Sequence, residues 1–258
     1  MSLIIDVFIC REDNYGYLVH ELESGKTAAI DAPDPTVIRE RLDHLGWKLS
    51  DIFVTHHHSD HTEGIAPLKQ AFGAVVSGPK AEAKKIKNLD IQLEPGDTVT
   101  LGSTVFSTYA TPGHTAGHIV FHDTQGKHLF TGDALFSIGC GRLVDAKSAP
   151  LMWEYLQVLR ELPDDTLIYC GHEYTAANAR FALTIEPKNP ALRIRAAEVE
   201  RLREAGRHTI PVSLAMEKAT NPFLRADQPQ IAEHFGLSQA KPASVFAALR
   251  KAKDNFKG

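Results

Sequence analysis

Cysteine is scarce in this chain of 258 residues. Three are present, Cys10, Cys140 and Cys170, far apart and odd in number. That excludes a disulfide framework and suits a reducing compartment. No long apolar run occurs. The longest uncharged stretch, residues 98–122, is full of Thr, Gly and His, so no membrane span is expected. The opening Met-Ser-Leu-Ile-Ile-Asp has no basic segment and no extended apolar stretch. No secretory leader is therefore expected, and the cytoplasm is the expected location. Repeats and low-complexity tracts are missing, which excludes solenoid and collagen-like chains. With 43% hydrophobic and 23% charged residues the composition is that of a globular protein able to bury its own core.

The net charge of −4 hides an asymmetry. Residues 1–174 carry 14 Lys/Arg against 24 Asp/Glu, and residues 175–258 carry 14 against 8. The texture changes at the same place. Up to 174 the chain reads as short strands: 4–9, 17–20, 27–30, 52–55, 74–77, 98–101, 104–110, 119–122, 128–131 and 167–170. Helical patterns at 35–45, 62–72 and 150–162 are scattered among them. Many strands with few helices predict a layered α/β protein. Beyond 174 the strands are expected to stop, with helices at 175–184, 191–205, 213–219 and 242–257. Two units are predicted, 1–174 and 175–258. In the last helix Val245, Leu249, Ala252 and Phe256 form an apolar stripe, while Arg250 and Lys253 share another face and could hold an anion together.

Four of the 13 histidines fall within six residues, in Thr55-His56-His57-His58-Ser59-Asp60-His61. The string follows the apolar run 52–54 and precedes a helical pattern, so it occupies a strand-to-helix turn. His56 and His58, two apart in extended backbone, project to one side. Asp60 and His61 follow as the chain turns. Three more candidates share the context of a strand end and a glycine: Gly113-His114, Gly132-Asp133 and Gly171-His172. Five imidazoles and two carboxylates suit Zn, Fe or Mn better than Ca or Mg. The reading is His56, His58 and His114 on one ion, Asp60, His61 and His172 on a second, and Asp133 bridging. Two divalent ions are expected, zinc first, with iron or manganese as alternatives. His57 reads as packing or support, and His118 as structural.

These motifs resemble the metallo-β-lactamase superfamily. Finer features narrow the resemblance to the glyoxalase II family, the hydroxyacylglutathione hydrolases. They are Asp13-Asn14-Tyr15, residues 136–142 (Phe-Ser-Ile-Gly-Cys-Gly-Arg), residues 170–175 (Cys-Gly-His-Glu-Tyr-Thr), Asn221-Pro222-Phe223-Leu224-Arg225 and the closing 250–256. The resemblance spans the whole chain. It implies a four-layer αβ/βα metallo-β-lactamase-like sandwich with a C-terminal helical domain that binds glutathione. It implies hydrolysis of S-D-lactoylglutathione and related 2-hydroxyacylglutathiones to D-lactate and glutathione, the second step of methylglyoxal detoxification. A hydroxide shared by the two ions would attack the thioester carbonyl, with Asp60 and Asp133 as catalytic carboxylates. It also implies that Arg142, Tyr174, Arg250 and Lys253 contact the glutathione. Guanidinium and ammonium groups suit its carboxylates. Two departures stand out: Val144 where the family often has an aromatic, and Thr62-Glu63-Gly64 in place of a frequent Gly-Gly.

The rival reading is a glutathione-persulfide dioxygenase with one iron. A β-lactam hydrolase would often carry cysteine at position 133, and a nuclease would need a broad basic groove. The expected partner is a small glutathione thioester, with no nucleic acid, no membrane, and a monomeric chain.

Overall fold

A computed structural model describes residues 3–258. Two compact units emerge. The first holds the described residues up to Ala110 together with Thr115–Gly132, and the second holds Thr111–His114 with Asp133–Gly258. Compactness thus divides the chain differently from the change of texture at 174.

In the first unit, β1 (Leu3–Ile9), β2 (Tyr15–Glu21) and β3 (Thr27–Ile30) form an antiparallel meander. Helix α1 (Pro35–Leu45) then carries the chain over to β4 (Leu49–Phe53), parallel to β3. A one-turn helix α2 (Ser59–Thr62) and α3 (Ile65–Phe72) lead to β5 (Val75–Pro79), and β6 (Ile91–Leu93) completes a six-stranded sheet in sequence order. Short turns give the antiparallel pairs, and helical crossovers give the parallel ones. Next come β7 (Thr98–Leu101), β8 (Thr104–Ala110), β9 (Ile119–Asp123) and β10 (His128–Gly132), paired antiparallel in that order.

One face of the first sheet meets these later strands through aromatic rings. Phe53 lies 5.6 Å from Phe106 and 5.4 Å from Phe121, and Tyr17 lies 5.6 Å from Phe130. The opposite face buries Leu18, Ile52, Val54 and Val76 with Ile38 and Leu42 of α1 and Ile65 and Leu68 of α3. Asp34 caps α1 by accepting from the amides of Thr36 and Val37, and Gly46 ends it in left-handed backbone. The helix predicted over 62–72 is broken before Ile65. The Gly64 amide donates to the Ala32 carbonyl, and a Cβ there would lie 2.8 Å from that oxygen. Glycine is needed for this approach, which draws the residue after Asp31 against the end of α2.

In the second unit, β11 (Leu135–Phe136) and β12 (Gly139–Cys140) make a small hairpin. Helix α4 (Ala149–Arg160) and β13 (Leu167–Cys170) follow. Then come α5 (Thr175–Ile185), α6 (Pro190–Glu204), β14 (Val212–Ser213), α7 (Leu214–Thr220), α8 (Pro229–His234) and α9 (Pro242–Asp254). Strands do not stop at 174 as expected: β14 pairs antiparallel with β13. Two residues are too few to show an alternating pattern. Helix α8 starts at a proline that reads in sequence as a break, yet proline is well tolerated at a helix's first position. The helices close on Phe181, Phe223 and Phe246, all buried, with Phe223 edge-on to Phe246 at 5.8 Å. Of the predicted apolar stripe, Val245 and Leu249 are fully buried, and Ala252 and Phe256 partly.

Candidate metal and substrate site

The first unit carries His56, His58, Asp60 and His61. The chain leaves β4 at Phe53 and runs without regular structure to His58, itself extended, which precedes α2. His56 and His61 are buried, His58 and Asp60 partly so. Their orientation comes from Asp31, which follows β3 in left-handed backbone at φ 57°. Its carboxylate accepts from the Thr55 amide at 2.7 Å and the Thr55 hydroxyl at 2.8 Å. The same carboxylate lies 2.8 Å from Nδ1 of His61. Having given its proton to Asp31, the Thr55 hydroxyl accepts from Nδ1 of His56 at 2.9 Å. Both rings are thereby fixed with Nδ1 protonated and a lone pair at Nε2. Nε2 of His56 sits 3.1 Å from Nδ1 of His58, and Nε2 of His61 sits 3.5 Å from Oδ2 of Asp60. Asn14 steadies Asp60 by donating to its carboxylate and its carbonyl.

His57 points away from this group. Its amide and its Nδ1 both lie within hydrogen-bond distance of Oε2 of Glu82, at 2.7 and 2.8 Å. Oε1 of Glu82 accepts from the Gly117 amide. Burial pushes the Glu82 carboxyl up, but the nearby Thr115 hydroxyl and the bonds with His57 and the Gly117 amide outweigh it and hold the group below the ordinary range. Glu82 therefore anchors the histidine loop from behind. His118 stacks on His56 at 4.8 Å.

The second unit carries His114, Asp133 and His172. Nε2 of His114 lies 3.3 Å from Oδ2 of Asp133, and Nε2 of His172 lies 3.4 Å from the same oxygen. Nδ1 of His114 donates to the Arg142 carbonyl at 2.9 Å, because a carbonyl only accepts. Its Nε2 therefore aims a lone pair at a carboxylate oxygen. Gly141 is required here, since a Cβ would lie 2.0 Å from the Asp133 carbonyl and 3.0 Å from Nδ1 of His114.

Beside these groups opens a cavity of about 440 Å³ lined by Asp133, His114, Arg142, Tyr174, Arg250 and Lys253 among others. The ring of Tyr174 stacks on His172. Arg142 reaches into solvent, and its guanidinium comes within 3.9 Å of Asp254. Arg250 is buried. It donates to the Cys140 carbonyl at 2.8 Å and to Asp254 from Nε and Nη2, and it lies over the Phe223 ring. The anion-holding pair expected on α9 is therefore partly occupied within the protein. Lys253 donates to the Ala177 carbonyl and sits 5.5 Å from the rings of Phe181 and Phe256. Burial, reinforced by Arg250 and Arg180, lowers its pKa to about 8. Val144 is exposed and does not line this cavity.

The donor chemistry fits divalent cations. In each unit, imidazole nitrogens lie beside one another or beside a carboxylate oxygen, and these are the donor types that ligate such ions. The sequence reading missed Asp31, Thr55, Glu82 and Asp254. Asp31 had a visible cue, a carboxylate directly after a strand, as with the other strand-end candidates.

Residues 32–172 match the model of the metallo-beta-lactamase superfamily, which sets the class of the fold. Residues 173–256 match the hydroxyacylglutathione hydrolase C-terminus. A hydroxyacylglutathione hydrolase of Rhizobium meliloti is 49% identical over 99% of this chain and 99% of its own length. One of Brucella anthropi is 52% identical over 98% and 97%. Among solved structures, ETHE1 from Myxococcus xanthus aligns with a TM-score of 0.70 at 26% identity, covering 100% of this chain and 93% of that one. The chain belongs to the hydroxyacylglutathione hydrolase family. The family and the α/β metallo-β-lactamase-like class with a helical C-terminal region, both inferred from the motifs, are thus borne out. No helix among the described residues is long and apolar enough to cross a membrane.

Proposed function

We propose that this chain hydrolyses S-D-lactoylglutathione and related 2-hydroxyacylglutathiones to the hydroxy acid and glutathione. The observation that carries the reading is near-50% identity with hydroxyacylglutathione hydrolases over almost the whole chain. A cavity lined by Asp133 together with the cationic side chains Arg142, Arg250 and Lys253 supports the reading. In this proposal His56, His58, Asp60, His61, His114, Asp133 and His172 hold two divalent ions, zinc first, iron or manganese otherwise. Bound there, such ions lower the pKa of water toward neutrality and polarise a carbonyl.

The chain's own groups do the rest. Asp31 and Thr55 hold His61 and His56 with Nδ1 toward their oxygens, so that Nε2 is the atom each ring would offer an ion. Asp60 and Asp133 offer carboxylate oxygens able to orient a water, and so act as the catalytic carboxylates. Arg142 and Lys253 attract the glutathione carboxylates, Arg250 adds charge from within the wall, and Tyr174 gives a ring face and a hydroxyl. All three cysteine thiols are buried and pushed well above the ordinary value, so none serves as nucleophile. In this division of labour residues 1–174 form the metal-binding catalytic domain, which also lends Arg142 and Tyr174 to the substrate, and 175–258 form the glutathione-binding domain. A cytoplasmic monomer that binds neither nucleic acid nor membrane completes the proposal.

The test is hydrolysis of S-D-lactoylglutathione, followed as loss of thioester absorbance, beside elemental analysis of the purified protein. Two ions per chain with lactate release supports the reading. One iron with oxygen uptake overturns it in favour of the dioxygenase. Stripping with a chelator should abolish turnover, and re-adding zinc should restore it.

A further inference from the structure

The β11–β12 hairpin builds one wall of the cavity. It follows Asp133 and runs into Gly141 and Arg142, whose carbonyl accepts from His114. Its turn contains Ser137 and Ile138. Ile138 has φ 57°, backbone that a β-branched residue seldom adopts. Such a conformation persists where the surroundings enforce it.

The enforcement comes from α7. Glu217 is fully buried there, with no surface in the cavity. Its Oε2 accepts from the Ile138 amide at 2.8 Å, and its Oε1 accepts from the Ser137 hydroxyl at 3.1 Å. Asn221, also fully buried, ends the helix one turn later. Its amide nitrogen donates to the carbonyls of Phe136 at 3.2 Å and Gly139 at 3.0 Å, and to Glu217 at 2.9 Å. Every residue of the turn is therefore gripped through this pair. Asn178 adds a bond to the Ser137 carbonyl, and Arg250 holds the Cys140 carbonyl. A buried carboxylate used only as filler would be replaced to advantage by an apolar side chain. Here its oxygens satisfy donors of a strained turn.

We infer that Glu217 is a positioning residue: with Asn221 it holds the 136–139 turn in the one shape that sets Cys140, Gly141 and Arg142 around the glutathione part of the substrate. The ligand's identity rests on the hydrolase reading above. The hairpin role rests on the contacts of Glu217 and Asn221. Glutamine in this place keeps an acceptor for Ile138 and Asn221 and donates to Ser137, whereas leucine leaves two buried donors, the Ile138 amide and the Ser137 hydroxyl, without the acceptor they use.

The experiment compares wild type, Glu217→Gln and Glu217→Leu as full-length, metal-loaded proteins. KM and kcat are measured with S-D-lactoylglutathione, and binding of the thioether S-hexylglutathione is measured by calorimetry. Glu217→Leu should raise KM and the thioether Kd about tenfold, with metal content unchanged and kcat within about threefold. Glu217→Gln should restore both constants to about wild-type values. A Glu217→Leu protein with wild-type KM and thioether Kd overturns the inference, however far its Tm falls. If that variant does not fold, Asn221→Ala is judged by the same two constants, and unchanged values overturn it equally. Weakened thioether binding in Glu217→Leu beside a wild type that releases no lactate would sink the hydrolase reading and leave the hairpin role standing.

Discussion

The imidazole of His172 lies flat on the phenol ring of Tyr174, with centroids 4.8 Å apart and planes 4° from parallel. Phe136 closes the group edge-on, 5.9 Å from His172 and 5.3 Å from Tyr174. A proposed metal ligand and a proposed substrate contact thus share one surface. An aromatic pair contributes about 0.5–1.5 kcal/mol beyond burial. Tyr174→Phe keeps the stack and should raise KM alone. Tyr174→Ala frees the imidazole and should also lower kcat, by about twofold to tenfold. Steady-state kinetics of the two variants separates these effects, and equal kcat values would refute the coupling.

Asp31 should control metal retention without touching substrate. Losing the group that orients a ligating histidine costs about 10–100-fold in affinity. Asp31→Ala removes the acceptor for His61 and Thr55 and places alanine in left-handed backbone. Asp31→Asn tolerates that backbone and keeps one acceptor, so it should lose less. Competition with a zinc chelator gives the order wild type, Asn, Ala.

The acidity of Glu217 gives stability a pH dependence of known sign. Burial raises its pKa from 4.5 to about 7, against opposing hydrogen bonds from Ile138 and Asn221 and the charge of Arg195. The titratable thiol of Cys170 also faces it. A raised acid is most favourable when protonated, so its contribution is fully present below about pH 4.5 and lost as pH rises through about 7. Glu217→Gln should therefore gain stability over wild type between pH 5 and pH 8, by at most about 3 kcal/mol. Urea unfolding at the two pH values measures it. A constant difference would show that Glu217 does not titrate in this range.

Lys253 should set an alkaline limit on binding. With its pKa lowered to about 8, it loses its charge as pH climbs past that value. KM for an anionic thioester should then rise while kcat changes less, because the ammonium is remote from the carbonyl. Lys253→Met should show a raised KM with that limb of the profile gone.

Much of this was legible in the order of residues. The spacing of His56, His58, Asp60 and His61 after an apolar strand announces candidate ligands at a strand end, because backbone periodicity fixes where side chains point. Glycines before His114, Asp133 and His172 carry the same message. Hidden were the groups that orient them. Asp31 meets His61 across 30 residues, and Glu217 meets Ile138 across 79. A carboxylate's role depends on which donors folding brings to it, and no local pattern encodes that. Strand β14 was invisible because two residues have no period. Arg250 read as a free cation because its bond to the Cys140 carbonyl spans 110 residues.

The depth of Cys10, Cys140 and Cys170 has a practical reach beyond excluding them as nucleophiles. The proposed reaction liberates a thiol at every turnover, next to Cys140. With pKa values of about 12, 11 and 12, these sulfurs hold their protons at neutral pH. They resist forming mixed disulfides with the released product. Ellman's reagent can therefore be present throughout an assay, colouring with each glutathione set free while leaving the folded protein unlabelled.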